Sequence, residues 1–257
     1  MDNTGWKVIR RPTAYMSPIA INMIHLRSPV VMSLWSVVFP GLGQIALGNH
    51  ITGYILIIWE IVINTQAHIN LIFLNTFTGR FQEAAAVANQ RWLLLYIAVY
   101  VFGIWDSYRS TVDLNKLAIL AERSGNIPAP VEMNSVAINY LDPRSPWVAA
   151  GWSVLMPGLG HLYDHRLPAG FFILIWWIVI AYFSHLFEVL NYTFWGDYAK
   201  AAAVADWEWL LFMPSLHWFA VYDSYVKTVE HNKLFNLEQA NYLKRYYFNS
   251  ATLDNLF

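Results

Sequence analysis

Trp35-Ser36-Val37-Val38-Phe39-Pro40-Gly41-Leu42-Gly43 is an apolar run that stops on a proline and two glycines. The run returns as Trp152-Ser153-Val154-Leu155-Met156-Pro157-Gly158-Leu159-Gly160. Working outward, residues 27–117 align on residues 144–234 without a gap, and about four aligned positions in ten are identical. Arg27-Ser28-Pro29 matches Arg144-Ser145-Pro146, and Trp59 and His68 match Trp176 and His185. Ala84-Ala85-Ala86-Val87-Ala88 matches Ala201-Ala202-Ala203-Val204-Ala205. Asp106-Ser107-Tyr108 matches Asp223-Ser224-Tyr225, and Asn115-Lys116-Leu117 matches Asn232-Lys233-Leu234. A gapless register that keeps rare Trp and His aligned is a duplication of one structural unit. The chain divides into an N-terminal segment (1–26), repeat one (27–117), a linker (118–143), repeat two (144–234) and a tail (235–257).

Composition places the repeats in lipid. The chain is 57% hydrophobic and only 13% charged, where soluble domains carry about 25% charged residues. Thirteen Trp, fifteen Tyr and fifteen Phe suit a protein with membrane–water interfaces. The predicted class is an all-α integral membrane protein built from two repeats about a pseudo-two-fold. A net charge of −1 gives no basic stripe for nucleic acid. With no cysteine, disulfides, thiolate catalysis and Cys-ligated metals are excluded. The first 29 residues hold no h-region followed by a small-residue cleavage site, so the internal apolar segments are expected to direct insertion.

Each copy has four segments. A short apolar stretch (Val30 to Phe39) runs into the Pro-Gly-Leu-Gly break. A long one follows, Tyr54 to Leu74 or Phe171 to Leu190. Then comes an Ala-rich piece, Gly79 to Gln90 or Gly196 to Trp207, and last Trp92 to Trp105 or Trp209 to Tyr222. A spanning helix needs about 20 residues. The long apolar stretch meets this, and the last segment does so only if the Ala-rich piece runs into it. Twelve of the sixteen Lys and Arg lie before Pro29, between Arg109 and Arg144, or after Tyr225. These regions read as cytoplasmic, so Met1, Gly125 and Phe257 are expected on one side of a bacterial plasma membrane. The long stretch and the last segment would then span, and the short first stretch would be re-entrant, with its irregular backbone shielded by protein. The alternative is three spans per copy in inverted orientation. The linker, with Gly125, Pro128 and Pro130, reads as a connector entered by a helix from Asn115 through Glu122. The tail reads as a surface or amphipathic helix.

Ser28-Pro29, Ser36, Pro40-Gly41-Leu42-Gly43-Gln44, Gly48 and Gly53 together resemble the two-transmembrane domain family of bacterial, Firmicutes-type membrane proteins. Repeat two carries the pattern as Ser145-Pro146, Ser153, Pro157-Gly158-Leu159-Gly160-His161, Tyr163 and Gly170. The resemblance covers about 45 residues per copy and implies a membrane hairpin. It brings no catalytic residue or ligand, and the additional apolar segment with Asp-Ser-Tyr departs from it.

The candidate chemistry is sparse. Pro40, Gly41, Gly43, Pro157, Gly158 and Gly160 read as tight structural turns that let helices approach; unwound backbone lining an ion site is the alternative. They are not a phosphate loop, which needs Gly-Lys-Ser/Thr after a strand. Glu60, Asn64 and His68 fall at i, i+4 and i+8 on one helical face, with Gln66 and Asn70 nearby. Repeat two keeps only His185 and puts Trp177, Ala181, Phe183 and Phe187 at the other four positions. An ionisable residue within a span is a functional candidate by default, but an asymmetric face suits interhelical hydrogen bonding, to a partner or within the chain, better than a two-fold transport site. Asp106 and Asp223 read as helix caps. Trp59, Trp92, Trp176 and Trp209 mark interface or packing positions. His161 and His165 are spaced i, i+4, but they flank a glycine turn and have no counterparts in repeat one, and no His-Glu-x-x-His motif appears, so no metal or cofactor is expected, and a hydrolase constellation is missing. The function expected is a non-enzymatic scaffold, anchor or assembly partner in the bacterial envelope, in contact with lipid and with itself or another membrane protein. A small channel or transporter using the polar face of repeat one is the rival, and a lipid-moving protein a third reading.

Overall fold

The computed structural model describes residues 12–122 and 130–246, so Met1, Gly125, Pro128 and Phe257 lie outside the described residues. The described chain is mostly helical. Helix α1 (Pro29–Val38) starts as its sequence dictates: Ser28 is the N-cap and accepts from the Val31 N–H, with Pro29 in the first turn. It stops at extended Phe39 ahead of Pro40, and Gly41 turns the chain at φ 101° into α2 (Leu42–Ala46). Repeat two repeats this hairpin as α7 (Pro146–Leu155), Gly158 at φ 101°, and α8 (Leu159–Tyr163).

The two limbs of each hairpin return to the same level. The Arg27 guanidinium donates to the Ala46 carbonyl, and Arg144 Nη1 donates to the Tyr163 carbonyl at 2.8 Å. Asn115 then holds the hairpin mouth, accepting from the Arg27 N–H (2.9 Å) and donating to its carbonyl (2.8 Å). Asn232 does the same for Arg144 at 2.8 and 2.6 Å. These paired bonds account for Arg and Asn keeping register across the duplication.

The long apolar stretches are not single helices. In repeat one, α3 (His50–Ala67) and α4 (Ile69–Phe77) meet at 61°; later, α9 (Leu167–Phe183) and α10 (Leu186–Phe194) meet at 63°. The bends fall on His68 (φ 57°) and His185 (φ 55°). His is among the few non-glycine residues that adopt this left-handed conformation with any frequency, which explains why these two histidines stay in register. The Ala-rich α5 (Phe81–Val87) likewise does not run on into α6 (Gln90–Glu122) but meets it at 91°. In repeat two α11 (Tyr198–Val204) and the short α12 (Trp207–Leu210) precede α13 (Met213–Tyr246). Thus the last segment of repeat one gains its length at the other end, through Asp106 to Glu122. Among the described residues no single helix is long and apolar enough to cross a membrane; the pairs α3–α4, α5–α6 and α9–α10 pass together by length and composition.

Two antiparallel hairpins, unforeseen in the sequence, sit at the mouths of the helical hairpins: β1 (Ala14–Ser17) with β2 (Ala20–Met23), and β3 (Val131–Met133) with β4 (Ile138–Tyr140). The first touches both repeats. Asn22 Nδ2 donates to the Gly48 carbonyl (3.2 Å), and the Leu167 N–H donates to the Ile19 carbonyl (3.0 Å). Asn139 Nδ2 joins the two hairpins through the Ser17 carbonyl at 2.9 Å. Both helical hairpins therefore open at one end of the molecule, together with the linker strands and the C-terminal halves of α6 and α13.

One core joins the repeats. Met32, Phe39, Leu42, Ile57 and Ile61 of repeat one pack with Ile173, Ile180, Phe212, Leu216 and Phe219 of repeat two. Trp35 lies against Phe219 (5.3 Å between ring centroids) and Tyr222 (5.1 Å), and Phe39 against Phe212 (5.8 Å). A two-fold pairing would bury the same positions in both copies. It does not: Trp152, the counterpart of Trp35, and Phe102, the counterpart of Phe219, are exposed. The α1–α3 side of repeat one meets the α13 side of repeat two, a head-to-tail arrangement that replaces the expected pseudo-two-fold.

Candidate functional site

The turn glycines are set by steric necessity. A Cβ on Gly41 would lie 2.5 Å from the Gly53 carbonyl, and one on Gly158 2.6 Å from that of Gly170. A Cβ on Gly43 would collide with the Met32 carbonyl and Ser36 Oγ, and one on Gly160 with the Ala149 carbonyl and Ser153 Oγ. The same two positions face Ser107 and Ser224, whose Cβ atoms would stand at 3.1 and 2.9 Å. The small serine of Asp-Ser-Tyr is thus what lets the turn seat on the long helix.

That seating brings the two repeated motifs together. In repeat one, Ser36 Oγ donates to Gln44 Oε1 (3.2 Å), and Gln44 Nε2 donates to the Gly103 carbonyl (2.8 Å) and to Asp106 Oδ2 (3.3 Å). In repeat two, His161 Nε2 lies 3.1 Å from Asp223 Oδ2, and Arg166 Nη1 donates to the same oxygen at 2.6 Å. Asp164 joins through Thr228 Oγ1 at 2.5 Å. Asp106 and Asp223 lie inside α6 and α13 and cap no helix; they are the acceptors for the turn, a correction to the capping expectation. Ser153, His161 and Asp223 have the residue types of a hydrolase triad. Ser153 Oγ and His161 Nδ1 are nevertheless without hydrogen bonds and all three residues are buried. Repeat one fills the equivalent places with Ser36, Gln44 and Asp106.

Beside this lies an ionic cluster between the repeats. Arg27 Nη2 is 2.9 Å from Glu230 Oε2, Lys227 Nζ is 3.1 Å from the same oxygen, and His25 contacts the other. Burial alone would raise the Glu230 carboxyl, but Lys227, His25 and Arg27 hold it down at about 2. Burial lowers Lys227 to about 8, with Arg27 adding to the shift. His25, Arg27 and Glu230 border a cleft of about 280 Å³ that is also lined by Val31, Tyr222 and Tyr225.

The polar face read from repeat one is divided. Asn64 Nδ2 donates to Glu60 Oε1 (2.9 Å), as does the Tyr96 hydroxyl (3.2 Å), while Glu60 Oε2 is unpartnered. Asn70 links Asn64 to the Glu208 carbonyl of repeat two (2.7 Å). His68, displaced from the face by the bend, stands 3.4 Å from Glu208 instead. His185 is remote from this group and lies 3.6 Å from Glu188 at the surface. Sequence reasoning missed Arg27, Arg166, Lys227 and Glu230. For Arg166 and Lys227 the signal lay in the register, where Asn49 and Ser110 become charged as Gln44 becomes His161; Arg27 and Glu230 match Arg144 and Asp113 and give no such signal.

Compared with family models, curated proteins and solved structures, the chain matches none of them.

Proposed function

We propose that the protein is a non-enzymatic, multi-pass scaffold or assembly subunit of a bacterial plasma membrane, related to the two-transmembrane domain proteins. The observation that carries this is the use made of the repeated motifs. Pro-Gly-Leu-Gly with Gln44 or His161, and Asp106 or Asp223, are bonded to one another inside the protein in both halves. What the duplication kept is thereby a packing device. The co-terminal limbs of each hairpin support α1–α2 and α7–α8 as re-entrant elements, since irregular backbone at membrane depth must be shielded by protein. Hairpins opening at one end of the molecule support parallel rather than inverted repeats.

A second reading, an ion or proton pathway through repeat one, is favoured by the unpartnered Glu60 Oε2. Reconstituted vesicles separate the two. Proton and cation flux is expected to equal that of protein-free vesicles and to be unchanged by Glu60→Gln or His68→Ala. A flux that either substitution abolishes would replace the scaffold reading with transport.

A further inference from the structure

The junction between the repeats uses two different faces. Repeat one contributes the side carrying Trp35, and repeat two contributes the side carrying Phe219 and Tyr222. Because the repeats are copies, each face exists twice, and one example of each is left open. A contact of this kind is heterologous, and heterologous contacts propagate into rings or chains.

The open faces keep the chemistry of the closed ones. Trp35 and Phe219 have the identical counterparts Trp152 and Phe102, and Tyr222 has Trp105. These three aromatic side chains are 47, 49 and 53% exposed. The ion pair that crosses the junction, Arg27 with Glu230 at 2.9 Å, has the counterparts Arg144 and Asp113. His25, which contacts Glu230, is replaced by the acid Asp142, and Lys227 by Ser110, so that Lys116, 3.2 Å from Asp113, is the cation on that helix. At the far end one side changes sign, and the other keeps its histidine and gains an acid in place of Leu71. Glu208, which stands beside His68 in the closed junction, becomes Arg91, while on the other face His185 has Glu188 at 3.6 Å.

We propose that the Trp152 face of repeat two docks on the Phe102–Trp105 face of repeat one in a second copy of this chain, reproducing between chains the junction within the chain. This names the partner in the scaffold reading above and rests on it. Lipid alone would cover the aromatic side chains equally well. It would not select Arg144 and Asp113 as opposite charges at the positions of Arg27 and Glu230.

The cysteine-free sequence allows a direct test in native membranes. A chain carrying Trp152→Cys and Phe102→Cys is expected to form cross-linked dimers or a ladder with a short bifunctional thiol reagent. A chain carrying Trp35→Cys and Phe219→Cys is expected to be bridged internally by the same reagent, losing both free thiols with no increase in size, which reports that the fold is intact. Arg144→Asp in the first chain should reduce inter-chain bridging at least several-fold, and adding Asp113→Arg should restore it. Absence of inter-chain bridging while the internal control closes overturns the proposal, as does bridging indifferent to the charge exchange. If another protein then co-purifies in place of a second copy, self-docking fails and the scaffold reading stands. Flux lost in Glu60→Gln would instead remove the scaffold reading whatever the bridging.

Discussion

At the scale of the residue, the fold depends on charges that are held rather than offered. Asp223 accepts from Arg166 at 2.6 Å with both side chains buried. Removing one member of such a pair strands the other and typically costs about 3–5 kcal/mol, whereas replacing both by apolar groups can be close to neutral. Asp223→Ala is therefore expected to melt far below the parent protein in detergent, and Arg166→Leu with Asp223→Leu to recover most of the loss. A mild Asp223→Ala phenotype would show that the pair is not needed to hold the turn. His231, on α13 beyond Tyr225, gives a pH dependence of known sign. Burial first, and then Arg144, lowers its imidazole from 6.5 to about 4, with Asp142 opposing. The folded state keeps this ring neutral where the unfolded chain would protonate it. Its contribution is thus complete above about pH 6.5 and is lost as pH falls toward 4, by about 1–3 kcal/mol. Thermal melting followed over that range should show the step, and His231→Gln should flatten it.

At the scale of the element, glycine position separates what the chain must do from what it can tolerate. In Gly43→Ala the new methyl meets the Met32 carbonyl and Ser36 Oγ, backbone and buried side chain with nowhere to go. Overpacking of this sort costs about 1–3 kcal/mol or more. Gly151 lies within α7 with nothing within 4 Å of its Cβ position, so Gly151→Ala should stabilise by about 0.5–1 kcal/mol through helix propensity. Equal effects from the two substitutions in a detergent melting assay would contradict the close seating of the turn. The turns were legible in the sequence because proline and glycine act locally, through sterics that need no partner. The bends at His68 and His185 were not legible, because an apolar run reads the same through a break, and a left-handed histidine carries little signal beyond its recurrence. Nor was the role of Asp106 and Asp223: a carboxylate after an apolar helix suggests a cap, and only the packed turn reveals that the helix continues and the acid faces inward.

At the scale of the whole molecule, the duplication was legible from register alone, and the relation between its copies was not. Gapless similarity fixes that two units exist; it does not say whether like faces meet. The answer lies in contacts between residues far apart in the chain, such as Trp35 with Phe219, and in the unequal exposure of Trp35 and Trp152. The charged junction of Arg27, Lys227 and Glu230 escaped notice for a related reason, since its partners come from opposite ends of the chain. The proposed arrangement is a membrane protein with parallel repeats, re-entrant hairpins, and the strand hairpins on the cytoplasmic side. It is tested most directly by thiol labelling of single cysteines in intact cells and in inverted vesicles. Tyr15→Cys and Val136→Cys, both on exposed positions of the β-hairpins, should react only in inverted vesicles. Phe77→Cys and Phe194→Cys, exposed at the ends of α4 and α10, should react only in intact cells. Labelling of Val136→Cys from outside while Tyr15→Cys is protected would mean an odd number of crossings per repeat and would contradict parallel repeats.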